Sequence, residues 1–403
     1  MIRNYIKTAF RNLWRSRAFS VINIVGLSVG LACCMLIFLY TMDEVSYDRF
    51  NTKAANIYHL TATFTSPTGE AHKISSTGQI HGPSFKEKLP EFEEFVRLQN
   101  AHCTVKQAND VFDQEAMFAD DNFFSFFTFP LLQGNPQTAL KDLHSVVLSE
   151  EVAEKYFGKK NAVGQVLNLK VNDNFEPFTV TAVMKKSPQN SSVKIKMLLP
   201  MKFNQLTDND THWVNFFLNT FFIVKPGTDI KVLEGKVNKV FNQEAASQLK
   251  DEQKNGFNDK VTFGLQPLLA MHTSTDFPAD NGLSDASSPV YSYILSGIAL
   301  FILLIACINF VNLTVARSLK RAKEIGIRKV VGGQRKQLIM QFMGESFVLS
   351  FIAFVLGIVL VQLALPFFNT LANKSLAFSY LLSFKLVAGY ILIFLLTTLL
   401  AGF

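Results

Sequence analysis

Glu324 and Arg328 stand four residues apart in a stretch, residues 317–336, that sets eight cations against that single acid. The cations are Arg317, Lys320, Arg321, Lys323, Arg328, Lys329, Arg335 and Lys336. On a helix, a Glu four residues ahead of an Arg pairs in the favoured order. Ile327, Val330 and Val331 supply apolar anchors beside that pair, and Gly332 and Gly333 can stop the helix. The chemistry open to such a segment is recognition: a short helix with apolar anchors and a basic rim docks in a groove of a partner protein. The expected contact residues are Glu324, Ile325, Gly326, Ile327, Arg328 and Lys329.

Bond-making chemistry has no such candidate. Gly332 and Gly333 are followed by Gln334, Arg335 and Lys336, which is not a phosphate-binding loop. Nucleotide hydrolysis, if used, belongs to another chain. His59, His72, His81, His102, His144, His212 and His272 are scattered, with no metal-ligand spacing to one another or to a cysteine. No nucleophile elbow and no zinc-protease signature occurs. Neither a metal nor a cofactor is expected in this chain. Cys33, Cys34 and Cys307 lie in apolar runs, which leaves Cys103 alone outside them and allows no internal disulfide there. Phe123, Phe124, Phe126, Phe127 and Phe129 form an aromatic cluster. Core packing is the plain reading. The sharper one makes Phe123, Phe124, Phe126 and Phe127 an apolar surface for a hydrophobic substrate or partner.

The elements that must carry the basic stretch are apolar runs. A mean hydropathy of +0.20 hides a mosaic. Residues 21–40, 291–315, 346–368 and 386–403 hold no charged side chain. A helix needs about 20 apolar residues to cross a bilayer. Four transmembrane helices are therefore predicted, the first over 21–41 and the others over 291–315, 346–368 and 386–403. Charge is segregated around them. Residues 1–17 carry five cations and no acid, whereas residues 43–289 carry 24 basic and 30 acidic side chains. Basic flanks are retained in the cytoplasm. The N-terminus and residues 317–336 are expected there, with 43–289 outside. A segregated charge of this kind is a topology signal and gives no reason to expect nucleic acid. Residues 1–20 read as an amphipathic helix on the inner leaflet, with cations near anionic lipid headgroups. Gly26 and Gly30 can permit close helix packing.

Residues 43–289 read as an α+β domain. Strands are expected at 57–64, 145–148, 165–169, 178–184, 221–224 and 261–267. Helices are expected at 85–96, interrupted by Pro90, at 150–157 between a Ser149 cap and Gly158, and at 232–248. Its acids are expected on a solvated surface. The fold class is a transmembrane helical bundle with a large α+β extracytoplasmic domain between its first and second helices.

These features together resemble the MacB/FtsX-type ABC transporter permeases. The stretch AKEIGIRKVVGG at 322–333 carries the resemblance, with FRNLWRSRAFS at 10–20, DNFF at 121–124, GNP at 134–136, AEKYFG at 153–158 and VTAV at 180–183. The resemblance implies a MacB-like periplasmic domain over 43–289 and an FtsX-like permease domain over 290–403. It implies a role for 324–329 in coupling to a cytosolic ABC ATPase that binds the ATP, and a second permease half or copy as partner. It places the chain in a bacterial inner membrane and implies efflux, lipoprotein release or a cell-envelope process. Family members end in a basic tail, so the sequence is expected to continue past Phe403, as the first half of a two-repeat member. The rival class is a membrane sensor or scaffold whose external domain binds a ligand or peptide and signals inward. A membrane-anchored enzyme is disfavoured by the missing catalytic constellation.

Overall fold

The computed structural model describes residues 17–107, 110–171, 174–284, 286–320, 335–377 and 384–402. It divides into a helical unit, made of residues up to Val45 and from Pro289 onward, and an α/β unit, Ser46–Ser288.

Helix α1, Arg17–Glu44, opens the helical unit. In the α/β unit follow β1 (Ile57–Thr65), β2 (Ala71–Ile74), α2 (His81–Lys88), β3 (Phe92–Gln107), β4 (Asp110–Ala119), α3 (Phe123–Phe126) and β5 (Leu131–Gln133). Then come β6 (Ser145–Ser149), α4 (Glu150–Phe157), β7 (Val166–Lys170), β8 (Phe175–Met184), β9 (Met197–Pro200), α5 (Met201–Thr207) and β10 (Asn219–Val224). The unit closes with α6 (Ile230–Glu244), α7 (Ala246–Lys254), β11 (Lys260–Pro267) and α8 (Leu268–Met271). Helices α9 (Pro289–Lys320), α10 (Arg335–Ala372) and α11 (Phe384–Gly402) complete the chain.

The strands make one mixed sheet in the order β11-β1-β10-β3-β4-β9-β6-β8-β5. Strand β7 pairs with both β3 and β8, so β3, β4, β9, β6, β8 and β7 form a closed circuit of pairings. Alternation along these strands sorts their side chains between two cores. Cys103, Val105, Phe118, Leu148, Phe178 and Met197 pack with α4 in one. Val96, Leu98, Met117, Val147 and Leu198 pack with the aromatic segment in the other. A third core joins β1, β10 and β11 to α2 and α6 through Phe85, Phe222, Phe241 and Phe263.

Local signals explain most of the boundaries. Ser149 Oγ accepts from Val152 N–H, and Gly158 ends α4 at φ +60°. Asp229 caps α6 by accepting from Lys231 and Val232. Two expectations are corrected. The helix expected over 85–96 stops at Lys88, and Phe92 already belongs to a strand. Leu89 is extended at ψ 102°, as a residue before proline must be, and β10 then recruits Phe92–Val96 by pairing. The helix expected over 232–248 is two helices, which meet at Ala245.

In the helical unit, Arg17–Glu44, Pro289–Ala316 and Met343–Ala372 are long and apolar enough to cross a membrane. The fourth apolar helix is shorter, Leu386–Leu399. Half of the apolar window of α1 is buried, against 17% for α9, so α1 is the helix around which the others pack.

Candidate functional site

Residues 324–329 lie outside the described residues, as do residues 1–16 of the amphipathic helix expected over 1–20. The helices that bracket the basic stretch are described, and they fix where its ends emerge. Helix α9 runs antiparallel to α1. A Cβ on Gly30 would meet Ala306 Cβ at 2.7 Å, and Cys34 Sγ approaches Ala299 O at 3.1 Å. Helix α10 runs parallel to α1, with Gly357 against Ser28, Leu31 and Met35. The start of α1, the end of α9 and the start of α10 therefore gather at one end of the unit. That end carries Arg17, Arg317, Lys320, Arg335 and Lys336. Of the glycine pair in α1, Gly30 makes the close approach; Gly26 is in ordinary contact with Asn309 Nδ2, 3.5 Å from its would-be Cβ.

The opposite end holds a buried cluster of three charges; a further buried acid, Glu345, lies near the start of α10. Lys374, just past α10, places Nζ 2.9 Å from Asp43 Oδ2 and 2.5 Å from Glu44 Oε1. The three side chains are 9%, 0% and 3% exposed. Lys374 Nζ also lies 5.7 Å from the centroid of the Tyr40 ring. This corrects the expectation that the acids of 43–289 sit on a solvated surface. Asp43 and Glu44 continue α1 by one turn, and a cation from another helix meets them there. Removing one partner of a buried ion pair costs about 3–5 kcal/mol, because the other charge is left in low dielectric.

The α/β unit places the aromatic cluster inside. Phe123, Phe126 and Phe127 are buried against Val96, Phe221 and Ile223, and Phe124 is partly buried against the same core. Phe123 meets Phe124 edge-on, Phe126 meets Phe127 edge-on, and Phe127 meets Phe221 edge-on at 5.4 Å between centroids. The surface reading of Phe123, Phe124, Phe126 and Phe127 is corrected to core packing. A helical turn followed by Pro130 folds these rings back over the sheet. Beside them Arg97 grips Asp120 with two parallel bonds, Nε to Oδ2 at 3.0 Å and a terminal nitrogen to Oδ1 at 2.7 Å. A further guanidinium N–H donates to Gln79 O at 3.0 Å.

Asp48, at φ +59°, accepts from Ser192 N–H at 2.9 Å and from Ser192 Oγ at 2.6 Å. Burial pushes its carboxyl above the usual range, and the serine bonds oppose that shift. His81 accepts from Gly78 N–H on Nδ1 at 2.7 Å, so its proton sits on Nε2 and is donated to Trp213 O at 3.0 Å. Burial holds His81 and His59 down to about 4, as neutral core residues. A cavity of about 400 Å³ opens beside β4 and β9, between Asn100, Met117 and Gly282. Four of its rim charges are mutually paired, Lys196 with Glu115 at 2.8 Å and Lys186 with Glu151. Among the described residues no cluster of three or more His, Cys, Asp or Glu could hold a metal ion.

The MacB-like periplasmic core domain family matches residues 20–240, more than half of the chain, and the FtsX-like permease C-terminal family matches residues 296–403. The chain belongs to the MacB/FtsX-type ABC transporter permeases. It is 25% identical over 219 residues to the macrolide export ATP-binding/permease protein MacB of Bdellovibrio bacteriovorus, covering 53% of this chain and 30% of that one. It is 21% identical over 377 residues to the uncharacterized ABC transporter permease YvrN of Bacillus subtilis, covering 88% and 85%. The chain thus spans less than a third of the MacB relative and most of YvrN. A crystal structure of the periplasmic region of MacB from Actinobacillus actinomycetemcomitans is similar over 50% of this chain and 94% of that one, at a TM-score of 0.36 and 12% identity.

As a MacB/FtsX-type permease, the chain is a multi-pass membrane protein with an α+β domain inserted after its first helix. Sequence reasoning missed Lys374. The signal was present: Lys374 and Lys385 are the only charged residues after Glu345. An isolated cation between apolar runs asks for a partner, but nothing local names Asp43 and Glu44, more than 300 positions earlier.

Proposed function

We propose that this chain is the transmembrane subunit of an ABC transporter and carries mechanical work from a separate cytosolic ATPase to its own extracytoplasmic domain. The observation that supports this best is the gathering of three helix ends, at 17, 320 and 335, at one end of the helical unit. ATP is bound by the partner and none by this chain, which has no catalytic role of its own. Closure of the ATPase pulls residues 324–329; α1, α9 and α10 follow; the domain inserted between α1 and α9 changes shape. The N-terminus and residues 317–336 face the cytoplasm and 43–289 faces the periplasm, following the charge segregation. Residues 386–403 supply a fourth span, and a second permease half or copy completes the assembly in the lipid of an inner membrane. Efflux, lipoprotein release and other cell-envelope processes all suit such a device, and the macrolide exporter among the relatives favours efflux.

The test is Arg328→Glu in the full-length protein with its ATPase. Within the helix, like charges at 324 and 328 cost only about 0.2–0.5 kcal/mol. A desolvated ion pair with the ATPase is worth about 2–5 kcal/mol when one partner is removed. Permease-stimulated ATP hydrolysis is expected to fall strongly while membrane insertion is unchanged. Unaltered stimulation would refute the coupling role.

A further inference from the structure

Helix α10 ends in a device that aims one cation. Asn373 takes φ +49°, the left-handed conformation that terminates helices. Lys374 N–H then donates back to Asn369 O at 2.9 Å, the long closing bond of such a stop. Asn369 adds a second tie. Its Nδ2 donates to Leu376 O at 2.8 Å, and its Oδ1 accepts from Leu376 N–H at 3.0 Å. The backbone on both sides of Lys374 is anchored to the last turn of α10, so its side chain leaves from a fixed point. Tyr40 closes the space beside it and is itself wedged edge-on against Phe368 of α10, at 6.3 Å between centroids.

We propose that Lys374 is a clamp that joins the end of α10 to the last turn of α1, so that these two helices move as a single lever. Three observations converge on this. The ammonium engages two carboxylates in adjacent positions of α1, and all three groups are buried, so water competes poorly for any of them. The helices are parallel and already in close register at Gly357, where a Cβ would meet Ser28 O at 3.3 Å and Met35 Cε at 3.0 Å. Sliding α10 along α1 by one turn, about 5.4 Å, would carry the ammonium out of reach of both acids. Helix α9, by contrast, meets α1 through the small groups of Gly30, Ala306 and Ala299, which hold no charge in register. Motion of α1 therefore carries α10 with it. This assignment rests on the transmission reading above for its purpose, but the clamp itself is a property of the helical unit.

The experiment places spin labels at Val45 and Leu371 of the full-length protein, both exposed, after replacing the four cysteines. The distance between them is measured in lipid nanodiscs, with and without the partner ATPase and ATP. The unsubstituted clamp is expected to show one narrow distance that nucleotide does not change. Lys374→Arg should keep that narrow peak, and Lys374→Met should lose it to a broad distribution. If Lys374→Met is not recovered from the membrane, Asp43→Asn, which leaves Glu44 in place, should broaden the peak in part. A narrow, unchanged peak in Lys374→Met would overturn the clamp, as would an α1–α10 distance that shifts with ATP. Failure of the transmission reading shows differently: Arg328→Glu would leave ATP hydrolysis untouched while the clamp distance stayed narrow.

Discussion

The two units of this protein are built by opposite rules. The α/β unit hides its aromatic rings, Phe85, Phe123, Phe127 and Phe221 among them, and, apart from Arg97–Asp120, leaves ion pairs such as Lys202–Asp121 half-exposed. The helical unit exposes Phe301, Ile305, Leu363 and Phe367 and buries the side chains of Asp43, Glu44 and Lys374. Solvent is the reason. In water, apolar burial supplies the drive for folding, and surface ion pairs add little. Among lipid tails that drive vanishes, and helices are held by close packing at small residues and by polar contacts. A phenylalanine is therefore worth most in one unit, and a glycine or a buried cation in the other.

Three measurements press on that contrast. The largest effect is expected from Phe127→Ala, which opens a cavity in the aromatic core. It should destabilise the isolated Ser46–Ser288 fragment by about 3–5 kcal/mol, read by denaturant unfolding. The same truncation at lipid-facing Phe301 should leave the unfolding of the full-length protein in detergent nearly unchanged. A comparable loss at both positions would erase the distinction. Next comes Gly30→Ile, which puts a branched side chain where even a Cβ would stand 2.7 Å from Ala306. Overpacking of this kind costs about 1–3 kcal/mol and should lower the melting temperature of the full-length protein. Gly235→Ile, at a helical position where a Cβ meets nothing within 4 Å, should show no such packing loss.

The smallest effect is a slope. His59 and His81 titrate near 6.5 when unfolded and near 4 in the folded α/β unit. Between those values the unfolded chain binds more protons, so stability falls as the pH drops through that window. The loss is at most ~1.4 kcal/mol per pH unit for each histidine. Unfolding of Ser46–Ser288 at a series of pH values should show it, and His81→Gln should give a shallower slope. An unchanged slope in that variant would mean that His81 is not held neutral.

Several features were legible locally because their causes are local. Ser149 and Gly158 bound a helix through their own caps. Uninterrupted apolar runs announce the long helices, because length and composition are what a bilayer measures. The aromatic segment 121–129 is visible as a cluster with core packing as its plain reading, but not the partners it packs on, since Val96 and Phe221 lie far away in the chain. Strand β4 escaped notice. Its sequence, DVFDQEAMFA, alternates only at its far end, and pairing with β3 and β9 supplies the rest. At Phe92–Val96 the helical spacing of apolar residues lost to the β10 ladder.

The sequence by itself determined the order of the pieces: a basic start, one apolar run, a long acidic α+β insert, a second run, a basic stretch, and further apolar runs. Charge and hydropathy act through solvent, and each residue carries its share wherever it lies in the chain. Only the tertiary structure decided that Lys374 meets Asp43 and Glu44, that Phe127 meets Phe221 edge-on in a core, and that the helix ends at 17, 320 and 335 come together. Those are contacts between distant parts of the chain. They depend on which helix runs parallel to which and where two backbones approach closely enough to exclude a side chain, and no window of sequence contains both partners.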